Sequence, residues 1–158
     1  MIIVGVDPGY GRCGFAVITR KGRGSETLTH SSCFVTDARE QFSTRLLSLC
    51  DAFRALLTTH TPDLVALEKV YFTSNQKTAM RVAEVRGALS LVAHEYRIPI
   101  CEYNPNEVKV AVAGNGRATK QQIMQMVPRL ISIEKTIRLD DEFDAIAIAL
   151  TASAACPI

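Results

Sequence analysis

The sequence has no apolar run long enough to span a bilayer, no internal repeat and no low-complexity tract. These absences set aside membrane-spanning, solenoid and disordered classes. The first residues lack the basic region, apolar stretch and cleavage site of a secretory signal, and MIIVGV has the length of a strand. Cysteines stand at 13, 33, 50, 101 and 156, an odd number with no CxxC spacing, and the histidines at 30, 60 and 94 are scattered. That argues against a zinc site or a disulfide framework. Reduced cysteines serving as small apolar residues in a cytoplasmic protein are the simpler reading. A net charge of +2 permits an acidic partner without requiring one.

What is present fits a single domain over residues 1–158. Residues 2–7, 13–20 and 26–35 read as three short strands in a meander. From Arg39 the apolar period lengthens, with Phe42, Leu46, Leu49, Phe53, Leu56 and Leu57 predicting a helix over about 40–59. Strands are predicted at 64–70 and 98–103, and helices at 77–96, 105–113, 119–129 and 141–155. Thr119 and Gln122 have capping-box spacing. Three strands followed by alternating helix and strand imply a mixed α/β sheet with helices on both faces.

Four carboxylates carry the chemical signal. Asp7 ends the first strand and Glu68 lies near the end of LVALEKV. Asp141 and Asp144 sit near the start of the last helix, three residues apart and so on one face. If strands 2–7 and 64–70 are parallel neighbours, Asp7 and Glu68 lie side by side. Taken alone, Asp141 reads as a helix cap, Asp7 as a turn residue and Glu68 as a solvated strand end, while Asp144 immediately precedes the apolar stretch AIAIAL. Together they would repel, and a hard divalent cation resolves that repulsion. Two ions ~4 Å apart can clamp the oxygens of a phosphoryl displacement. Lys109, Arg117 and Lys120 are candidate phosphate partners, and Tyr71 and Phe72 lie among Lys77, Arg81 and other cations in a pattern that can track a nucleic-acid strand. A solvated surface remains an equal reading of each cation taken singly.

In these residues the chain resembles the RuvC family of Holliday junction resolvases. The resemblance rests on GVDPG (5–9), RL (45–46), ALEKVYF (66–72), the NQ…A…RGAL segment (75–89), NEVKVAVAGNGRATK (106–120) and DEFDAIAIALT (141–151). It implies a ribonuclease H-like fold: a mixed β-sheet flanked by helices. It also implies a homodimer that nicks two opposing strands of four-way DNA junctions in recombination and repair. Asp7, Glu68, Asp141 and Asp144 would then be the catalytic carboxylates holding Mg²⁺, two ions per site, with Mn²⁺ able to substitute. Tyr71, Lys109 and Lys120 would contact DNA, and the branch-migration proteins RuvA and RuvB would be partners. Asp140 beside Asp141 leaves the choice of ligand to the D-x-x-D match. A related RNA-processing nuclease, a non-catalytic junction binder and an actin-like sugar kinase are the alternatives, the last requiring a longer chain.

Overall fold

The computed structural model describes residues 1–22, 24–69 and 76–156, without the side chains of Gln76 and Lys77. The elements run β1 (Ile2–Asp7), β2 (Arg12–Arg20), β3 (Glu26–Val35), α1 (Phe42–His60), β4 (Leu64–Glu68), α2 (Gln76–Glu95), β5 (Ile100–Tyr103), α3 (Pro105–Ala113), α4 (Lys120–Leu130) and α5 (Asp140–Ala155). The strands form one sheet in the order β3-β2-β1-β4-β5. The meander β1-β2-β3 is antiparallel, while β1-β4 and β4-β5 are parallel.

Among the boundaries that differ from the sequence reading, two belong to the parallel strands. The fifth strand starts at Ile100 rather than at Ile98. The Ile98 N–H instead donates to Ala93 O at 3.0 Å, closing off α2, and Pro99 has no N–H to give a ladder. The fourth strand ends at Glu68, and Val70 lies outside the described residues.

Side-chain alternation divides the sheet into two buried faces. Val4, Val6, Phe15, Val17, Val65 and Leu67 pack under α1 and α2, with Phe15 stacked on Phe53 at 5.6 Å. Ile3, Ala16, Ile18, Leu64 and Ala66 face α3, α4 and α5. Small residues let α5 lie very close to this second face. A Cβ on Gly5 would come within 2.3 Å of Ala145 O, and one on Gly14 within 2.0 Å of Asp141 O. The first turn of α5 therefore rests on the strand pair β1-β2 at the place where β1 ends.

Local signals start the helices that follow the sheet. Asn104 and Glu107 form a reciprocal capping box on α3, with Pro in its first turn. Thr119 and Gln122 form the predicted one on α4. Such a cap contributes about 1 kcal/mol, and here it also fixes where Lys120 enters its helix.

Candidate active site

Asp7 and Glu68 end neighbouring parallel strands. The register pairs Val6 with Leu67, so the next residue on each strand is an acid. Asp7 follows Ile3 and Gly5 in alternation, and Glu68 follows Leu64 and Ala66, so both project to the α5 face. The helix meets them with Asp141 and Asp144, one turn apart, at its N-terminus, where the helix dipole favours negative charge. Adjacent strands and one close-packed helix thus deliver four carboxylates to one corner.

The charges there are strongly coupled. The Asp7 side chain retains some solvent access, but its surroundings are dense. Burial, followed by repulsion from Asp144, Glu68 and Asp141, raises its pKa from 3.8 to about 8. Burial also raises Glu68 and Asp144, and each acid feels its neighbours. Asp141 Oδ2 is buried and makes no hydrogen bond, although Arg12 Nε lies 3.2 Å away as an ion-pair partner. An unsatisfied buried carboxylate oxygen is costly, and this set of hard oxygen donors suits a divalent cation of the Mg²⁺ type.

Lys120 is the cation already in place. Its Nζ lies 2.6 Å from Asp140 Oδ2 and 2.8 Å from Asp144 Oδ2. Burial opposes the ammonium, but these two hydrogen bonds prevail and hold its pKa above that of an ordinary lysine. Its charge partly offsets the rise at Asp7 and Glu68, where burial prevails. Among the described residues, no three Asp, Glu, His or Cys side chains converge closely enough to hold an ion in this arrangement of side chains. The donor chemistry fits a divalent cation, and Lys120 is paired with one of the four acids, Asp144.

A cleft of about 200 Å³ opens beside this corner, lined by Glu68, Asp144, Lys109, Lys120 and apolar residues of α3, α4 and α5. Lys109 lowers the pKa of Glu68 and keeps partial solvent access. Larger clefts of about 560 Å³ between α3 and α5 and about 510 Å³ between β3 and α1 lie away from the four acids.

The other candidates separate. Arg81 places its guanidinium 4.0 Å over the Phe42 ring and pairs with Glu84 at 2.9 Å. Arg117 is exposed in the turn before α4, away from the carboxylate contacts described above. Tyr71 and the side chain of Lys77 lie outside the described residues. At the corner, Arg12 escaped the sequence reading, and Asp140 entered it only as an alternative to Asp141. Arg12 pairs with both Asp140 and Asp141, and Asp140 bridges Arg12 and Lys120. The only signal for Arg12 is the β1-β2 register, which sets Asp7 opposite Gly14 and leaves Arg12 at the start of β2.

Known proteins share this arrangement of sequence and fold. The profile of the family described as "Crossover junction endodeoxyribonuclease RuvC" matches residues 3–152. A protein of that name from Petrotoga mobilis is 41% identical over 149 residues, covering 94% of this chain and 91% of its own length. Another from Natranaerobius thermophilus is 39% identical over 157 residues, covering 98% and 96%. A solved structure of T. thermophilus RuvC in complex with Holliday junction substrate superposes with a TM-score of 0.90 at 31% identity, covering 97% of this chain and 93% of that one. The yeast mitochondrial Holliday junction resolvase Ydc2 shares the fold, with a TM-score of 0.67 at 15% identity, over 94% and 77% of the two chains.

Proposed function

Since the chain belongs to the RuvC family of crossover junction endodeoxyribonucleases, we propose that it resolves four-way DNA junctions by metal-dependent hydrolysis at the Asp7–Glu68–Asp141–Asp144 corner. The observation that carries this reading is the convergence of the ends of β1 and β4 with the first turn of α5. Asp7, Glu68, Asp141 and Asp144 would hold Mg²⁺, two ions per site, with Mn²⁺ able to replace it. When bound, the metal acidifies a water and offsets charge on the leaving 3′ oxygen.

The chain's own residues do the rest. Asp7 ends a central strand paired on both sides, which fixes its carboxylate without a flexible loop. Glu68 is held in the same way on β4. Lys109 faces the cleft and can offset charge growing on a phosphate, as can Lys120 once it leaves Asp144. Arg12 steadies Asp141 from the outer side. No side chain need act as a nucleophile. Tyr71, Lys77, Arg81 and Arg117 would extend the DNA contact beyond the reacting phosphate.

Two equivalent strands call for two sites. The outer face of α2 carries Met80, Ala83, Gly87 and Leu91 at helical spacing, all exposed, and a Cβ at Gly87 would meet nothing within 4 Å. Met80 and Leu91 are 66% and 61% exposed, a large apolar display for one helix. A second copy of the chain fits that stripe and gives the twofold symmetry of the substrate. RuvA and RuvB are proposed as partners through the family. No helix among the described residues is long and apolar enough to cross a membrane. The free cysteines accord with work in a reducing cytoplasm.

The test is a synthetic four-way junction incubated with the protein and Mg²⁺, beside linear duplex and structured RNA. Paired, symmetric nicks confined to the junction are expected. Cutting of RNA with the junction left intact would assign the chain to RNA processing. Junction binding with no cutting in Mg²⁺ or Mn²⁺ would make it a binding protein.

A further inference from the structure

We propose that Asp140 is a positioning residue: it holds the Lys120 ammonium at the rim of the site, so that Asp144 can be released to a divalent cation. The inference rests on the carboxylate site proposed above. The two aspartates that open α5 occupy different environments. The Asp141 side chain is 13% exposed, with Oδ2 buried, without a hydrogen bond and 3.2 Å from Arg12 Nε as its ion-pair partner. The Asp140 side chain is 34% exposed and lies between two cations, with Oδ1 3.5 Å from Arg12 Nη2 and Oδ2 2.6 Å from Lys120 Nζ. Asp140 is therefore placed to hold a lysine rather than to coordinate a metal from within.

Lys120 is shared. The same Nζ that bonds Asp140 also bonds Asp144 at 2.8 Å. An ammonium on a flexible stem can give up one of two carboxylates and keep the other without entering bulk water. Lys120 thus withdraws from Asp144 at the cost of one hydrogen bond, and Asp140 retains it beside the cleft that Lys109 also lines. Without Asp140, the ammonium has Asp144 as its remaining carboxylate in this pair and competes with the cation for it.

The test is a double-mutant cycle read by Mn²⁺ affinity of the DNA-free protein, measured by calorimetry. Asp140→Asn and Asp140→Ala should each weaken Mn²⁺ binding roughly two- to fivefold, the range of a partly exposed ion pair. Lys120→Met should tighten binding, and adding Asp140→Asn to it should then have no effect. An equal loss in the Lys120→Met background would mean that Asp140 acts as a ligand or through its own charge, and would overturn the proposal. Unchanged affinity in the Asp140 single variants would overturn it as well. Asp7→Asn runs alongside and should abolish Mn²⁺ binding. If Asp7→Asn still binds Mn²⁺, the carboxylate site itself is misassigned and both readings fall together. Melting curves of every variant check that each is folded before its affinity is compared.

Discussion

Asp7, in the proposed role of metal ligand, would serve chemistry at the expense of stability. Its pKa is raised from 3.8 to about 8, with burial as the largest cause. A carboxyl raised in the folded state contributes stability that is full below its unfolded pKa and is lost as pH rises through its folded one. The metal-free protein should therefore lose stability as pH climbs from about 4 to about 8, and melting temperatures in a chelating buffer would measure this. Asp7→Asn should flatten that profile. The same substitution should leave junction binding in metal-free buffer intact and cut nicking in Mg²⁺ by at least about a hundredfold. Nicking by this variant at the wild-type rate, in a gel assay of a labelled junction, would remove Asp7 from the site. At this scale the sequence was only partly legible. Asp7 and Glu68 stood out because apolar strands ended on them, and Asp144 because it precedes AIAIAL. The bridge from Asp140 to Lys120 and Arg12 was hidden, because it joins three elements whose approach is a tertiary fact.

Among the elements, α5 is the one on which the site depends. Its close seat on β1 and β2 rests on Gly5 and Gly14. Gly14→Ala places a methyl carbon 2.0 Å from the Asp141 carbonyl oxygen, so the helix start must move. A loss of roughly 1–3 kcal/mol is expected, seen as a melting temperature lower by several degrees. Nicking should fall further than stability alone explains, because Asp141 is carried away from Asp7. A variant with full nicking at a temperature where it remains folded would contradict this. The elements themselves were largely legible. Period-two and longer apolar patterns, Pro-Gly punctuation and the Thr119 capping box mark nearly every boundary. The start of β5 was missed because the end of α2 claims the Ile98 N–H, a hydrogen bond that apolar patterning does not encode. The strand order, and with it the side-by-side placing of Asp7 and Glu68, could be stated only conditionally until the β1-β4 register was seen.

For the whole molecule, the exposed apolar stripe on α2 bears on assembly. Leu91→Arg puts a charge on the proposed twofold contact and should shift the protein toward monomer in analytical ultracentrifugation. Single nicks should then replace paired ones on a junction, while the single chain keeps its fold in circular dichroism because Leu91 is exposed there. An unchanged sedimentation profile would place the dimer contact elsewhere. The wider architecture has a further consequence for how the protein is made. β1 lies at the start of the chain and α5 near its end, yet the acids at 7 and 68 meet those at 141 and 144 in one corner. During synthesis the early strands leave the ribosome well before α5 does, so a growing chain carries half of its acids and no completed corner. A truncated or stalled product that never releases α5 cannot bring the four carboxylates together, so it would lack the proposed active site.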